Sequence, residues 1–154
     1  MNTLAAQKDL SGKIIRLPFA KGTKRYWLIP PDVYKSLDDE FHFTFDPFPF
    51  PKPKDHDALK MDWGDVNFVN PPFRKEGVVS PVNYTKKAIE ESRKGKTVVL
   101  TLPVMYYVHL LIEAGAEIRP LGRVAWLDVE TKEAMKSPFP AAAFILRGST
   151  RRER

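Results

Sequence analysis

The sequence predicts an α/β chain: three layers, with helices on both sides of a mostly parallel sheet that ends in an antiparallel hairpin. Three observations predict it. From residue 66 to residue 121, apolar runs of strand character alternate with amphipathic segments, the order that builds strand–helix–strand units. One run, 97–102, is apolar almost throughout, as suits a strand covered on both faces. Two further runs, 124–127 and 142–146, close the chain with no helical segment between them, which favours an antiparallel return.

Each element has a local reason. Residues 1–24 carry Lys, Gly and polar residues without a period; they are expected to form a basic, flexible arm, with either a short strand or a docked arm over 13–17. Residues 31–40 read as a helix. Pro31 suits a first helical position, Asp32 favours the positive helix end, and Val33, Tyr34 and Leu37 fall on one side. Residues 41–45 alternate aromatic and polar side chains, a strand pattern, and end at Asp46-Pro47. Pro49, Pro51 and Pro53 then forbid an ordinary helix and make 48–57 a loop. Val66–Val69 is the next strand. Residues 81–94 read as an amphipathic helix with Tyr84, Ala88 and Ile89 inward, stopped by Gly95. The strand 97–102, a helix over 106–114 stopped by Gly115, a strand over 117–121 and the two terminal strands complete the reading. The division is an arm over 1–24, a domain over 25–148 and a basic tail over 149–154.

At 154 residues the chain is expected to hold one core. Cysteine is absent, which excludes disulfides, thiolate catalysis and thiolate metal sites. His42, His56 and His109 have neither the spacing nor the carboxylates of a metal site, so no metal is expected. There is no apolar run of membrane-spanning length and no apolar start of signal-peptide character; the expectation is a cytoplasmic protein without membrane contact. The net charge of +6 is concentrated at the ends. Residues 1–25 hold six cations against Asp9, and residues 147–154 hold four against Glu153. Basic ends on a near-neutral middle favour phosphate backbones as partners, although solvated tails explain them almost as well.

The most informative residues are Asn70-Pro71-Pro72-Phe73, a turn that follows an apolar strand. The Asn side-chain oxygen can accept one N–H of a planar exocyclic amine, and a backbone carbonyl in the turn can accept the other. Two prolines fix φ and remove two donors, so these carbonyls stay in place. The Phe ring offers a stacking face. Such a turn suits the alignment of an amino group for methyl transfer.

Phe45-Asp46-Pro47-Phe48 and Asn70-Pro71-Pro72-Phe73 occur in order after Trp27-Leu28-Ile29-Pro30 and a short helix. Together with Gly122-Arg123-Val124 and residues 139–146, they resemble the small phage-type DNA N(6)-adenine methyltransferase family. The resemblance covers roughly residues 26–147 and implies an abbreviated Rossmann-like methyltransferase sandwich with S-adenosylmethionine as cofactor. It places Asp46, Pro47, Phe48, Trp27, Pro30, Asp62 and Asn70 around the cofactor, with Asp46 meeting its ammonium. It makes the Asn70–Phe73 turn catalytic, with a flipped adenine stacked on Phe73. Lys24, Arg25, Arg74 and Lys75 would meet the DNA phosphates. One departure stands out: no glycine lies between Phe48 and Leu59, where the family pattern has a Gly-rich turn. Three alternatives stay open: RNA as substrate, a protein glutamine amide as substrate, or a non-catalytic nucleic-acid-binding subunit that works with a partner. The oligomeric state and the target sequence are not readable.

Overall fold

The structure is a computed structural model and describes residues 6–8, 14–16, 27–72, 80–105, 107–129, 131–136 and 139–148. The elements run β1 (Ala6–Lys8), β2 (Ile14–Arg16), β3 (Trp27–Leu28), α1 (Pro31–Phe41), β4 (Val66–Val69), α2 (Pro81–Arg93), β5 (Thr97–Pro103), α3 (Val108–Glu113), β6 (Glu117–Gly122), β7 (Ala125–Asp128), β8 (Ala134–Lys136) and β9 (Ala141–Leu146). Most of the basic arm, and all of the tail 149–154, lie outside the described residues.

Helix starts follow local chemistry. Pro31 and Pro81 open α1 and α2, where a missing N–H costs nothing. Asn83 Oδ1 accepts the Ser80 N–H at 2.8 Å, closing the first turn of α2. Gly95, at φ 93°, takes the left-handed position that ends α2.

The central sheet has the order β4-β5-β9-β6. β4 runs parallel to β5, and β9 runs antiparallel to both β5 and β6. A second sheet, β3-β7-β8, is antiparallel throughout, and β1 pairs antiparallel with β2. The expected Rossmann-like, mostly parallel three-layer sandwich is therefore not what this chain forms. Among the described residues, β4–β5 is the one parallel ladder, there are three helices, and an antiparallel sheet stands where a helical layer was expected.

The cause is β9. All six of its residues are buried, and three are alanines whose small size admits cover on both faces. Burial on both sides drives it between β5 and β6. The expected hairpin of 124–127 with 142–146 does not form, because β7 pairs with β3 and β8 instead. The expected strand over 41–45 shrinks to one parallel bridge between Phe45 and Asn67. Asp38 prevents more: its carbonyl accepts the His42 N–H at 2.8 Å and its Oδ1 accepts the Phe43 N–H at 2.9 Å. These bonds hold the end of α1 and remove two groups from any ladder.

Strand alternation divides the core. Val69, Val98, Leu100, Leu102 and Phe144 pack with Ala88 and Ile89 of α2, Leu111 of α3 and Trp63. On the other face Phe68, Val99, Ala143 and Ile145 pack with Leu37 of α1 and with Ile29 and Trp126 of the second-sheet side. Glu91 ties α2 to the start of β5. It is fully buried and accepts from Lys87 and Lys94, each at 2.8 Å, from Lys96, and from the Trp63 N–H at 3.2 Å. Burial alone would raise its pKa, but the three lysines and the Trp63 N–H outweigh it and hold the carboxyl at about 2. No helix among the described residues is long and apolar enough to cross a membrane.

Candidate functional site

The site lies at the carboxyl ends of the parallel chain segments. The Phe45–Asn67 bridge aligns the segment entering Asp46 beside β4, and β4 runs parallel to β5. Asp46 and Asn70 therefore leave the sheet at the same end, where ligands of such sheets collect.

Asn70 is held by its amide. Its Nδ2 donates to the Trp27 carbonyl at 2.7 Å, which fixes the nitrogen on that side and turns Oδ1 the other way. Oδ1 is shielded from solvent and accepts no hydrogen bond. A buried unpaired acceptor costs about 1–3 kcal/mol, so folds seldom keep one without a use. Pro71 and Pro72 are buried and hold the turn under the Asn. Phe73, Arg74 and Lys75 lie outside the described residues, as do Lys24 and Arg25.

Asp46 is half-buried, and burial pushes its carboxyl up to about 6 against the opposing effects of the Phe48 N–H and the His56 ring. The Phe48 N–H donates to Oδ1 at 2.8 Å, a local turn that folds the chain back over the carboxylate. His56 Nε2 lies 2.6 Å from the Pro47 carbonyl and donates to it. Tyr34 joins this neighbourhood: burial first, then the charges of Asp38 and Asp46, raise its phenol.

A cleft of about 350 Å³ opens at the same end of the sheet on its α2 side, next to Pro47 and Pro72; the side chains of Asp46 and Asn70 do not line it. Pro47, Phe48, Pro72 and Tyr84 give it an apolar wall, and His56, the exposed Lys52 and the Lys60–Asp57 pair, 3.4 Å apart, give it a polar side. The Phe48 and Tyr84 rings meet edge to face at 4.7 Å, a favoured aromatic geometry. The volume is that of a small-molecule site.

The structure thus brings together Asp46, Pro47, Phe48, Asn70, Pro71 and Pro72, with the Trp27 backbone as anchor. Pro30 stands further back, at the head of α1, where its carbonyl accepts the Tyr34 N–H at 3.0 Å. Asp62 does not belong. It is exposed and pairs with Lys94 at 3.0 Å, beside the Glu91 cluster that precedes β5. That is the opposite end of the strands from Asn70. Lys94 holds the Asp62 carboxyl below its ordinary value.

Sequence reasoning missed Tyr84, read as core, and His56, read as an ordinary histidine. It also missed Lys52 and Lys60, whose position depends on how the proline loop folds. Comparisons with protein-family models, curated proteins and solved structures return no match.

Proposed function

We propose that this chain is an S-adenosylmethionine-dependent methyltransferase acting in the cytoplasm on the exocyclic amino group of adenine in DNA, as the resemblance of its Asp46 and Asn70 motifs to the phage-type adenine methyltransferases implies. The observation that carries the reading is the Asn70 amide. One N–H of its nitrogen donates to the Trp27 carbonyl, which fixes the orientation of the amide, and its oxygen is a buried acceptor without a partner. Its complement is an N–H donor.

The residues present fit the cofactor. A carboxylate at Asp46, ionised above about pH 6, suits an ammonium group. The cleft next to Pro47 and Phe48 offers aromatic and proline surface for a flat adenosyl group, and Lys52 suits a carboxylate. Pro47 and Phe48 supply the wall next to Asp46. When bound, S-adenosylmethionine supplies an electrophilic methyl group.

The chain's own work is positioning. The target adenine leaves the stack, because its amine is unreachable inside a duplex. Asn70 Oδ1 accepts one N–H and the Pro71 carbonyl the other, which aims the nitrogen lone pair and excludes water from it. Holding the reactants so supplies most of the acceleration, and no strong base is required. The proton departs once the nitrogen has become acidic. Oδ1 is covered in this structure, so base entry displaces the groups over it, an opening step of the kind that gates many enzymes. Phe73 provides the stacking face, and Arg74, Lys75, Lys24 and Arg25 meet the phosphates.

The test is calorimetric S-adenosylmethionine binding by wild type and Asp46→Ala, followed by labelled-methyl transfer to DNA by wild type and Asn70→Ala. Wild type is expected to bind, Asp46→Ala to lose binding, and Asn70→Ala to bind cofactor while turning over about 100-fold more slowly or worse. Absence of cofactor binding by wild type would reject the reading and favour a non-catalytic subunit, for which the glycine-free loop after Asp46 is the supporting observation. Transfer to RNA or to a protein amide, but not DNA, would move the substrate class.

A further inference from the structure

Besides the amide oxygens of Asn67 and Asn70, one hydroxyl among the described residues is buried without a partner. Thr101 lies in β5, is fully buried, and its Oγ1 has no hydrogen-bond partner. Val69 ends β4 opposite Leu100 of β5 in the parallel ladder, so Asn70 is the first residue beyond β4 and Thr101 the next along β5, where neighbouring strands lie about 4.8 Å apart.

Alternation puts both on one face. Phe68 and Val99, two residues before Asn70 and Thr101, pack in the core that faces α1 and the second sheet, and side chains two apart share a face. The Trp27 carbonyl that holds Asn70 belongs to that second sheet. Ala143, opposite Thr101 on β9, packs in the same core. Two buried polar atoms without partners therefore sit side by side at the carboxyl end of the sheet. A strand that needed only packing here would carry Val, which has the same shape and no polar atom. The paired deficit points to one absent partner that serves both atoms.

We propose that Thr101 Oγ1 is a second substrate contact of the Asn70 site. Asn70 Oδ1 takes an N–H of the exocyclic amine, and the Thr101 hydroxyl donates to the ring nitrogen beside that amine. An acceptor and a donor in adjacent positions match the amine and N1 edge of adenine and oppose a base that carries a carbonyl and a ring N–H there. This rests on the methyl-transfer reading, and it assigns to Thr101 a role in base choice that the Asn70 turn alone does not supply.

The experiment compares wild type, Thr101→Val and Thr101→Ser in the full chain. It reads methyl transfer to a duplex oligonucleotide, calorimetric S-adenosylmethionine affinity and thermal midpoint. Thr101→Val is expected to lower kcat about tenfold, the worth of one hydrogen bond, with cofactor affinity within twofold and a midpoint equal to or above wild type. Thr101→Ser is expected to restore most of the rate. A Thr101→Val enzyme with kcat within twofold of wild type would overturn the proposal and leave the methyl-transfer reading intact. So would a rate loss that tracks a fall in midpoint, the mark of a hydroxyl bridged by a structural water. A wild type that binds no S-adenosylmethionine and methylates neither DNA nor RNA would overturn the methyl-transfer reading and this inference with it.

Discussion

Asp46→Asn should make the protein more stable at neutral pH and no more stable in acid. The Asp46 carboxyl is pushed from an ordinary 3.8 to about 6 by burial. A raised carboxyl pKa means that the folded chain binds the proton more tightly than the unfolded chain. Between pH 3.8 and pH 6 the folded state therefore carries more protons, and stability falls as pH rises through this window. The cost is absent below the unfolded value and complete above about pH 6. At about 1.4 kcal/mol per pH unit it reaches about 3 kcal/mol. Some water still reaches the carboxyl, so roughly 1.5–3 kcal/mol is a fair range. Asn keeps the shape, carries no charge, and its oxygen can still accept the Phe48 N–H that now lies 2.8 Å from Oδ1.

With an unfolding entropy of about 2 cal/mol/K per residue, that range corresponds to a rise of roughly 5–10 °C in thermal midpoint at pH 7.5. At pH 4 the two proteins should agree within about 0.5 kcal/mol, since a protonated Asp and an Asn are near equals. The assay is thermal and urea unfolding of both proteins at four pH values from 4 to 7.5. Other titrating groups are shared, so the difference between the two curves isolates this carboxyl. A difference that stays flat with pH, or one that grows toward acid, would refute the reasoning. The same variant should bind S-adenosylmethionine more weakly while being the more stable protein, as expected where a site holds a charge at the expense of the fold.

Two further substitutions test the frame around the site. Glu91→Gln should cost about 3 kcal/mol in urea unfolding at pH 7, because it leaves partly buried lysines facing a neutral group. The Glu91 contribution should be present above its ordinary pKa of 4.5 and vanish as pH falls toward about 2; a loss below about 1 kcal/mol would contradict the packing described. Gly64→Ala should cost about 1–3 kcal/mol, since a Cβ there would stand 2.6 Å from Phe45 Cβ, close to the backbone and unable to swing away. Equal urea midpoints for Gly64→Ala and wild type would show that the Phe45 segment shifts freely against β4.

What the sequence makes legible here is what local chemistry decides. Pro31, Pro81 and Gly95 mark helix ends that the structure keeps to within about one residue, because a missing N–H and a left-handed φ are properties of single residues. Strand partners depend on distant residues and are harder to read. A run such as 141–146, buried on both faces, has the same pattern in a parallel and an antiparallel sheet, and only its ladders with β5 and β6 decide. Residues 133–136 are Glu, Ala, Met and Lys, all helix formers, yet 134–136 form β8 because the Trp126 strand offers a ladder. At the site, the Asn70 turn is legible from its prolines. Its orientation is not, because it depends on a carbonyl 43 residues away. Thr101 and Tyr84 look like filler in apolar segments until the sheet places them.

The two ends of the β4–β5 ladder differ in how their polar groups are met, and this contrast separates support from chemistry. At the amino-terminal end Glu91 is a buried charge met by three ammonium groups and a backbone N–H, and one neutral acceptor, Asn67 Oδ1, is buried there without a partner. At the carboxyl end Asp46 is held where ionisation is costly, and Asn70 Oδ1 and Thr101 Oγ1 are buried without partners. Each deficit could be removed by one ordinary substitution, Asp46→Asn, Asn70→Ala or Thr101→Val. Asp46, Asn70 and Thr101 put a costly charge and two unpaired polar atoms at the carboxyl end, against one unpaired neutral acceptor, Asn67 Oδ1, at the other, and that imbalance favours a ligand that meets the carboxyl-end groups over three separate failures of packing.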